Sequence, residues 1–132
     1  MAIKTRIAAI ITSGKKVLFV KGRNYNDLWT PGGKAEIGES DEDCLRRELK
    51  EELNVELVSM NFYKKYLTKS PYNDYMVETR LYQAKIKGNL KPGMEITEFI
   101  WLGRDDFEKK RYSTIPVNQE KIIPDLIKSG II

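Results

Sequence analysis

Three glutamates, Glu48, Glu51 and Glu52, crowd one short stretch of the chain. The segment around them, Asp41 to Leu53, reads as a helix, because Leu45, Leu49 and Leu53 recur every fourth residue and mark a buried stripe. At roughly 100° per residue, Glu52 lies only about 60° from the centre of that stripe. Glu48 falls on the same flank, so the three carboxylates gather on one side of the helix. Like charges so placed destabilise a bare helix by a few tenths of a kcal/mol per pair, and by more in a cleft, unless cations neutralise them. A solvated face of mixed charge is the ordinary fate of an acidic helix. Two features argue against it here: Glu52 sits at the edge of the buried stripe, and a glycine turn, Pro31-Gly32-Gly33, and a further acid, Glu39, precede the helix. Hard oxygen donors gathered this way suit Mg²⁺ or Mn²⁺.

The chain contains no histidine. That excludes a Ser-His-Asp triad, a Cys-His pair and histidine-ligated zinc. Proton transfer must therefore rest on carboxylates, assisted by Lys, Tyr or water. The one cysteine, Cys44, cannot form an internal disulfide and reads as a small packing residue. With 132 residues, 41% hydrophobic and 32% charged, the chain is expected to be a single domain over 1–132. The net charge of +4 permits a polyanionic partner. The lysines are scattered without interleaved aromatics, so a nucleic-acid module is the lesser reading. No apolar run approaches a bilayer span and no leader is evident, so the expected compartment is the cytoplasm, with no membrane partner.

The elements that must position the acids follow from local pattern. Ile3 to Thr12 and Lys16 to Lys21 are strand-like and, separated by Ser13-Gly14, predict a hairpin. Residues 22 to 39 read as loop. Ser40 can cap the acidic helix, Asp41, Glu42 and Asp43 favour its positive end, and Asn54 is a candidate left-handed stop. Leu57 to Thr68 and Tyr75 to Lys87 predict a second hairpin, Gly88 to Met94 a loop, and Glu98 to Leu102 a short strand. Val117 to Ser129 predicts a helix that Pro124 ends or kinks. This order predicts an α/β fold with a mixed β-sheet covered by helices.

At residues 33 to 55 the chain resembles the Nudix (MutT-like) hydrolases. Their box reads G-x5-E-x7-R-E-U-x-E-E-x-G-U, with U a bulky aliphatic, and this chain supplies Gly33, Glu39, Arg47, Glu48, Leu49, Glu51, Glu52 and Val55 at those spacings. The departure is Asn54 in place of glycine, which a left-handed turn tolerates. The resemblance implies the family's α/β/α sandwich and Mg²⁺-dependent cleavage of a nucleoside diphosphate linked to another group. It further implies that Glu48, Glu51 and Glu52 hold the metal, joined by the Gly32 carbonyl, and that Arg47 pairs with a nearby acid to orient them. Glu39 would support that arrangement from behind. The base is left open between Glu48 and the outside candidates Glu95 and Glu98.

Weaker candidates surround this set. Arg23 and Gly33 are expected near a phosphate, and Asn118 could read a base edge or begin the last helix. Trp29 is expected to pack beneath the loop, and Tyr25, Tyr72, Tyr75 and Tyr82 are either stacking or sheet residues. The resemblance of Trp29-Thr30-Pro31-Gly32-Gly33-Lys34 to the MutT-like branch favours a nucleoside triphosphate, oxidised ones included, cleaved to monophosphate and pyrophosphate. ADP-ribose, dinucleoside polyphosphates and capped RNA ends stay open, as does a nucleotide-binding sensor without turnover. The expected partner is a small-molecule nucleotide rather than a nucleic acid, and the oligomeric state is not legible.

Overall fold

The computed structural model describes residues 2–132. Its strands are β1 (Ile3–Ile10), β2 (Thr12–Ser13), β3 (Lys16–Gly22), β4 (Gly32–Lys34), β5 (Glu56–Lys69), β6 (Met76–Lys87) and β7 (Ile96–Gly103). Its helices are α1 (Asp41–Leu53), α2 (Arg104–Glu108) and α3 (Ile123–Lys128), the last preceded by a π-helical turn, Asn118–Ile122. A four-stranded mixed sheet runs in the order β4-β1-β6-β5, with β1 parallel to β6. A three-stranded antiparallel sheet runs β2-β3-β7.

The apolar run at the end of β1 is continuous because both of its faces are covered. Ile7 and Ala9 join Leu18, Val20 and the α1 stripe of Leu45, Leu49 and Leu53 in one core. Ala8 and Ile10 join Phe19, Leu81, Ile122 and Leu126 in a second core under the C-terminal helical segment. Helix, sheets, helix: the layers form the α/β/α sandwich, and each fully buried leucine of the α1 stripe contributes about 2 kcal/mol.

The predicted first hairpin needs correction. β1 pairs with β4 and β6, while β3 pairs with β7 and only briefly with β2. The chain leaves one sheet at Ile11 and enters the other at Thr12, so the Ser13-Gly14 turn closes a two-residue strand rather than a long hairpin. The loop read over 22 to 39 contains β4, a glycine strand with no apolar pattern to reveal it. Helix α2 was not predicted, being short and without a buried residue. The second hairpin forms as expected, with bulges in β5 between Leu57 and Ser59 and between Phe62 and Lys64. Strand β5 occupies a free edge of its sheet. Pro124 is the second residue of α3, directly after the π-helical turn, so the helical run changes its winding there and continues to Lys128 rather than ending. No helix among the described residues is long and apolar enough to cross a membrane.

Candidate functional site

Helix α1 is fixed at both ends by its own sequence. The Ser40 hydroxyl accepts from the Asp43 amide at 3.1 Å, and Asn54 stops the helix in the left-handed region at φ 58°, ψ 36°. Glu52 is buried with the leucine stripe, as its angular position demands. Its Oε1 accepts from the Gly32 amide at 2.9 Å. Gly32 thus meets the carboxylate through its N–H. Burial pushes the Glu52 carboxyl up to about 7; the Arg6 charge and the Gly32 hydrogen bond oppose this, and the Glu48 and Glu51 charges add to it.

The glycine turn is shaped by close approach. A side chain at Gly32, at φ 144°, would lie 2.1 Å from the Ile7 carbonyl oxygen. A Cβ at Gly33 would lie 2.4 Å from the Glu48 carboxyl carbon. Gly33, expected near substrate, faces the Glu48 carboxylate and makes room for it.

Arg47 gathers the acids. Its Nε and Nη2 donate to the two Glu39 oxygens at 2.8 and 3.0 Å, a bidentate pair. Its Nη1 donates to Glu48 at 2.7 Å and reaches Glu51 at 3.4 Å, and its Nη2 also donates to the Lys34 carbonyl at 3.1 Å. Glu39 accepts in addition from the Glu36 amide at 2.9 Å. These bonds, that with Arg47 foremost, hold the Glu39 carboxyl down at about 2. The expected supporting role of Glu39 therefore has a concrete form: it is the strut behind Arg47. Burial pushes the Cys44 thiol up to about 12, in keeping with a packing residue.

Glu48, Glu51 and Glu52 open onto one cleft of about 190 Å³, together with Arg23 and Glu95. The loop carrying Glu95 is docked on the end of α1: the Lys91 amide donates to the Leu53 carbonyl and the Gly93 amide to the Glu52 carbonyl, at 3.0 and 2.9 Å. A Cβ on Gly93 would stand 2.5 Å from the Glu51 carbonyl oxygen, so only glycine permits this approach. The Arg23 amide donates to the Glu95 carbonyl at 2.8 Å and ties the two loops together. Glu98 is not brought to the cleft; it is exposed on β7 opposite Lys21. A second cavity of about 330 Å³ adjoins the first and shares Tyr25, Trp29, Glu52 and Glu95 with it. Trp29 both packs on the core and lines the cleft. Tyr72 reaches the larger cavity. Tyr82 is spent on Asp41, and the Tyr75 hydroxyl accepts from the Asn73 amide group at 3.2 Å. Asn118 is fully buried in the π-helical turn, with neither side-chain polar atom partnered. Its neighbour Val117 lines the larger cavity.

Arg6 was missed from sequence. It is partly buried, donates to the Thr30 carbonyl and lines the larger cavity near Glu52. The available signal was slight: Arg6 directly precedes the apolar run Ile7 to Ile10 but follows the polar pair Lys4 and Thr5. Among the described residues no three acids converge ready-made on a cation, since Glu48 and Glu51 are turned to Arg47 and Glu52 to Gly32. The donor set nevertheless fits a hard divalent ion. Three carboxylates share a wall, and buried Glu52 lacks a direct ion pair among the described residues.

A family model described as the NUDIX domain matches residues 3–126. The chain belongs to the NUDIX family and is an enzyme of that family, whose chemistry is pyrophosphohydrolysis. Solved structures with the same fold include a NUDIX hydrolase from Nitrosomonas europaea, 19% identical, covering 98% of this chain and 91% of that one with a TM-score of 0.82. The E. coli ORF135 protein is 21% identical, with coverage of 98% and 94% and a TM-score of 0.76. A structure from work on MutT of Aliivibrio salmonicida and Vibrio cholerae is 17% identical, with coverage of 97% and 99% and a TM-score of 0.77. Among curated proteins none matches the sequence.

Proposed function

We propose that the chain is a single NUDIX hydrolase domain over 1–132 that cleaves nucleoside triphosphates, oxidised ones included, to the monophosphate and pyrophosphate. The observation that carries this reading is the shared wall of Glu48, Glu51, Glu52 and Glu95, braced by Arg47 and opening into a cavity of nucleobase dimensions. Glu48, Glu51 and Glu52 would hold Mg²⁺, or Mn²⁺ in its place. Such an ion, when bound, polarises the diphosphate oxygens and offsets the charge that repels an attacking water. Arg23 stands at the mouth of the same cleft, where its planar fork suits a phosphate. Glu95 is the better general base: it lies on the border of both cavities, whereas Glu48 is engaged by Arg47. Asn118 would read a base edge only after the side chains around it shift, because its amide is now fully enclosed.

The MutT-like loop Trp29 to Lys34 and the structural likeness to MutT favour triphosphates over ADP-ribose, dinucleoside polyphosphates or capped RNA. A sensor without turnover would have no need of all three box glutamates. The test is a screen over these substrates with Mg²⁺, run in ¹⁸O-labelled water. Label in pyrophosphate or monophosphate, with no orthophosphate, is the expected result. Labelled orthophosphate with nucleoside diphosphate left behind would contradict it.

A further inference from the structure

The cavity of about 330 Å³ has a floor and a rim of different chemistry. Its floor is two neighbouring rows on one face of the four-stranded sheet. Arg6 of β1 stands in register with Thr79 of β6, and Val77, two residues before Thr79, shares that face with its β5 partner Thr68. Its rim is aromatic: the Tyr25 ring centroid lies 5.3 Å from that of Tyr72 and 5.4 Å from that of Trp29. Thr79 is 2% exposed, and its hydroxyl has no hydrogen-bond partner. An unpaired buried hydroxyl is costly unless something that enters the cavity pairs with it. Arg6 spends a donor on the Thr30 carbonyl and, having five, keeps others for the cavity.

We propose that Arg6 and Thr79 determine base specificity by selecting a lactam edge, a ring carbonyl beside a ring N–H. The inference rests on reading the cleft as a nucleotide site. A guanidinium can only donate, so it meets the carbonyl; the Thr79 hydroxyl, enclosed as it stands, accepts from the neighbouring N–H once rotation of its side chain brings it to the cavity wall that Thr79 lines. Guanine, hypoxanthine, uracil and thymine present that pair. Adenine and cytosine present an amino group beside a bare nitrogen, which sets donors against donors at Arg6 and leaves them unpaired. The aromatic rim holds the base by its face, which all bases share, so discrimination falls to the floor.

Calorimetric binding of nucleoside monophosphates to the full chain tests this without requiring turnover. GMP and UMP are expected to bind about tenfold more tightly than AMP and CMP. Thr79→Val, which keeps the shape and removes the hydroxyl, should bring the four within about threefold. Thr79→Ser should restore the preference, and Thr79→Val should melt no lower than the parent, since it deletes an unpaired polar group. A merely structural threonine would instead lower the melting temperature and leave the ratio intact. Equal binding of all four, a preference for AMP or CMP, no binding of any, or a uniform loss in Thr79→Val would overturn the assignment. Failure to hydrolyse triphosphates with the lactam preference intact would remove the triphosphate reading and keep this one. Hydrolysis without base preference would do the reverse.

Discussion

Glu52 occupies an environment that favours its neutral form, a burden that the proposed divalent ion would offset. Glu52→Gln should keep the fold, since the amide can still accept from the Gly32 N–H, but should lower kcat by about two orders of magnitude or more. Circular dichroism beside a turnover assay separates the two effects, and near-parental turnover at saturating Mg²⁺ would remove Glu52 from the ligand set. Gly33→Ala makes a complementary prediction. Its new methyl would meet the Glu48 carboxyl head-on, so the variant should fold yet lose most activity as that acid is displaced. Cys44→Ser, by contrast, places a hydroxyl where the Gly33 carbonyl already accepts the thiol at 3.6 Å. Turnover should stay within about twofold while stability falls by about 1 kcal/mol, read by urea titration. A large loss of turnover with the fold retained would show that the cysteine does more than pack.

At the scale of elements, α1 was legible to the residue because everything that defines it is local: the leucine period, the Ser40 cap and the Asn54 stop. Asn54→Ala should cost about 1 kcal/mol in urea unfolding, because a Cβ-bearing residue without a short polar side chain is strained at φ 58°, whereas Asn54→Gly should be neutral or slightly stabilising. The strands were legible as strands but not as partners. The period of β1 announces two covered faces without saying that β6 and β4, and not β3, lie beside it. Strand β4 was invisible because Gly32 serves close approach to Ile7 and Ala8, Gly33 makes room for Glu48, and neither carries an apolar pattern. The same division runs through the site. Glu39, Arg47, Glu48, Glu51 and Glu52 meet through spacing on or near one helix, and so could be read. Gly93, Arg6 and Thr79 arrive through the docking of distant segments, which no local period encodes.

For the whole molecule, the C-terminal helix is moored to the sheet through Asp125, whose carboxylate accepts from Lys64 at 2.8 Å and from the Tyr66 hydroxyl at 2.6 Å. Those bonds hold the Asp125 carboxyl below its ordinary value of 3.8. A depressed folded-state value means the contribution is complete above the unfolded value and is lost as the pH falls through the folded one. The parent should therefore lose melting temperature as the pH falls below about 4 more steeply than Asp125→Asn, with the two curves converging in acid. Parallel curves across that window would show that the mooring is not electrostatic. The opposite border of this layer has a different consequence. Strand β5 leaves one side unpaired while showing Val58, Phe62 and Leu67 to solvent. Such a border is a template on which further chains can stack. Its bulges break the flatness that stacking needs, and Lys65 and Lys69, each only loosely paired (3.9 Å to Glu78 and 4.0 Å to Asp74), keep amines along the border against any copy laid alongside. Chemical acetylation of those amines would strip away their charge, so the acetylated protein should turn cloudy at concentrations where the untreated protein stays clear.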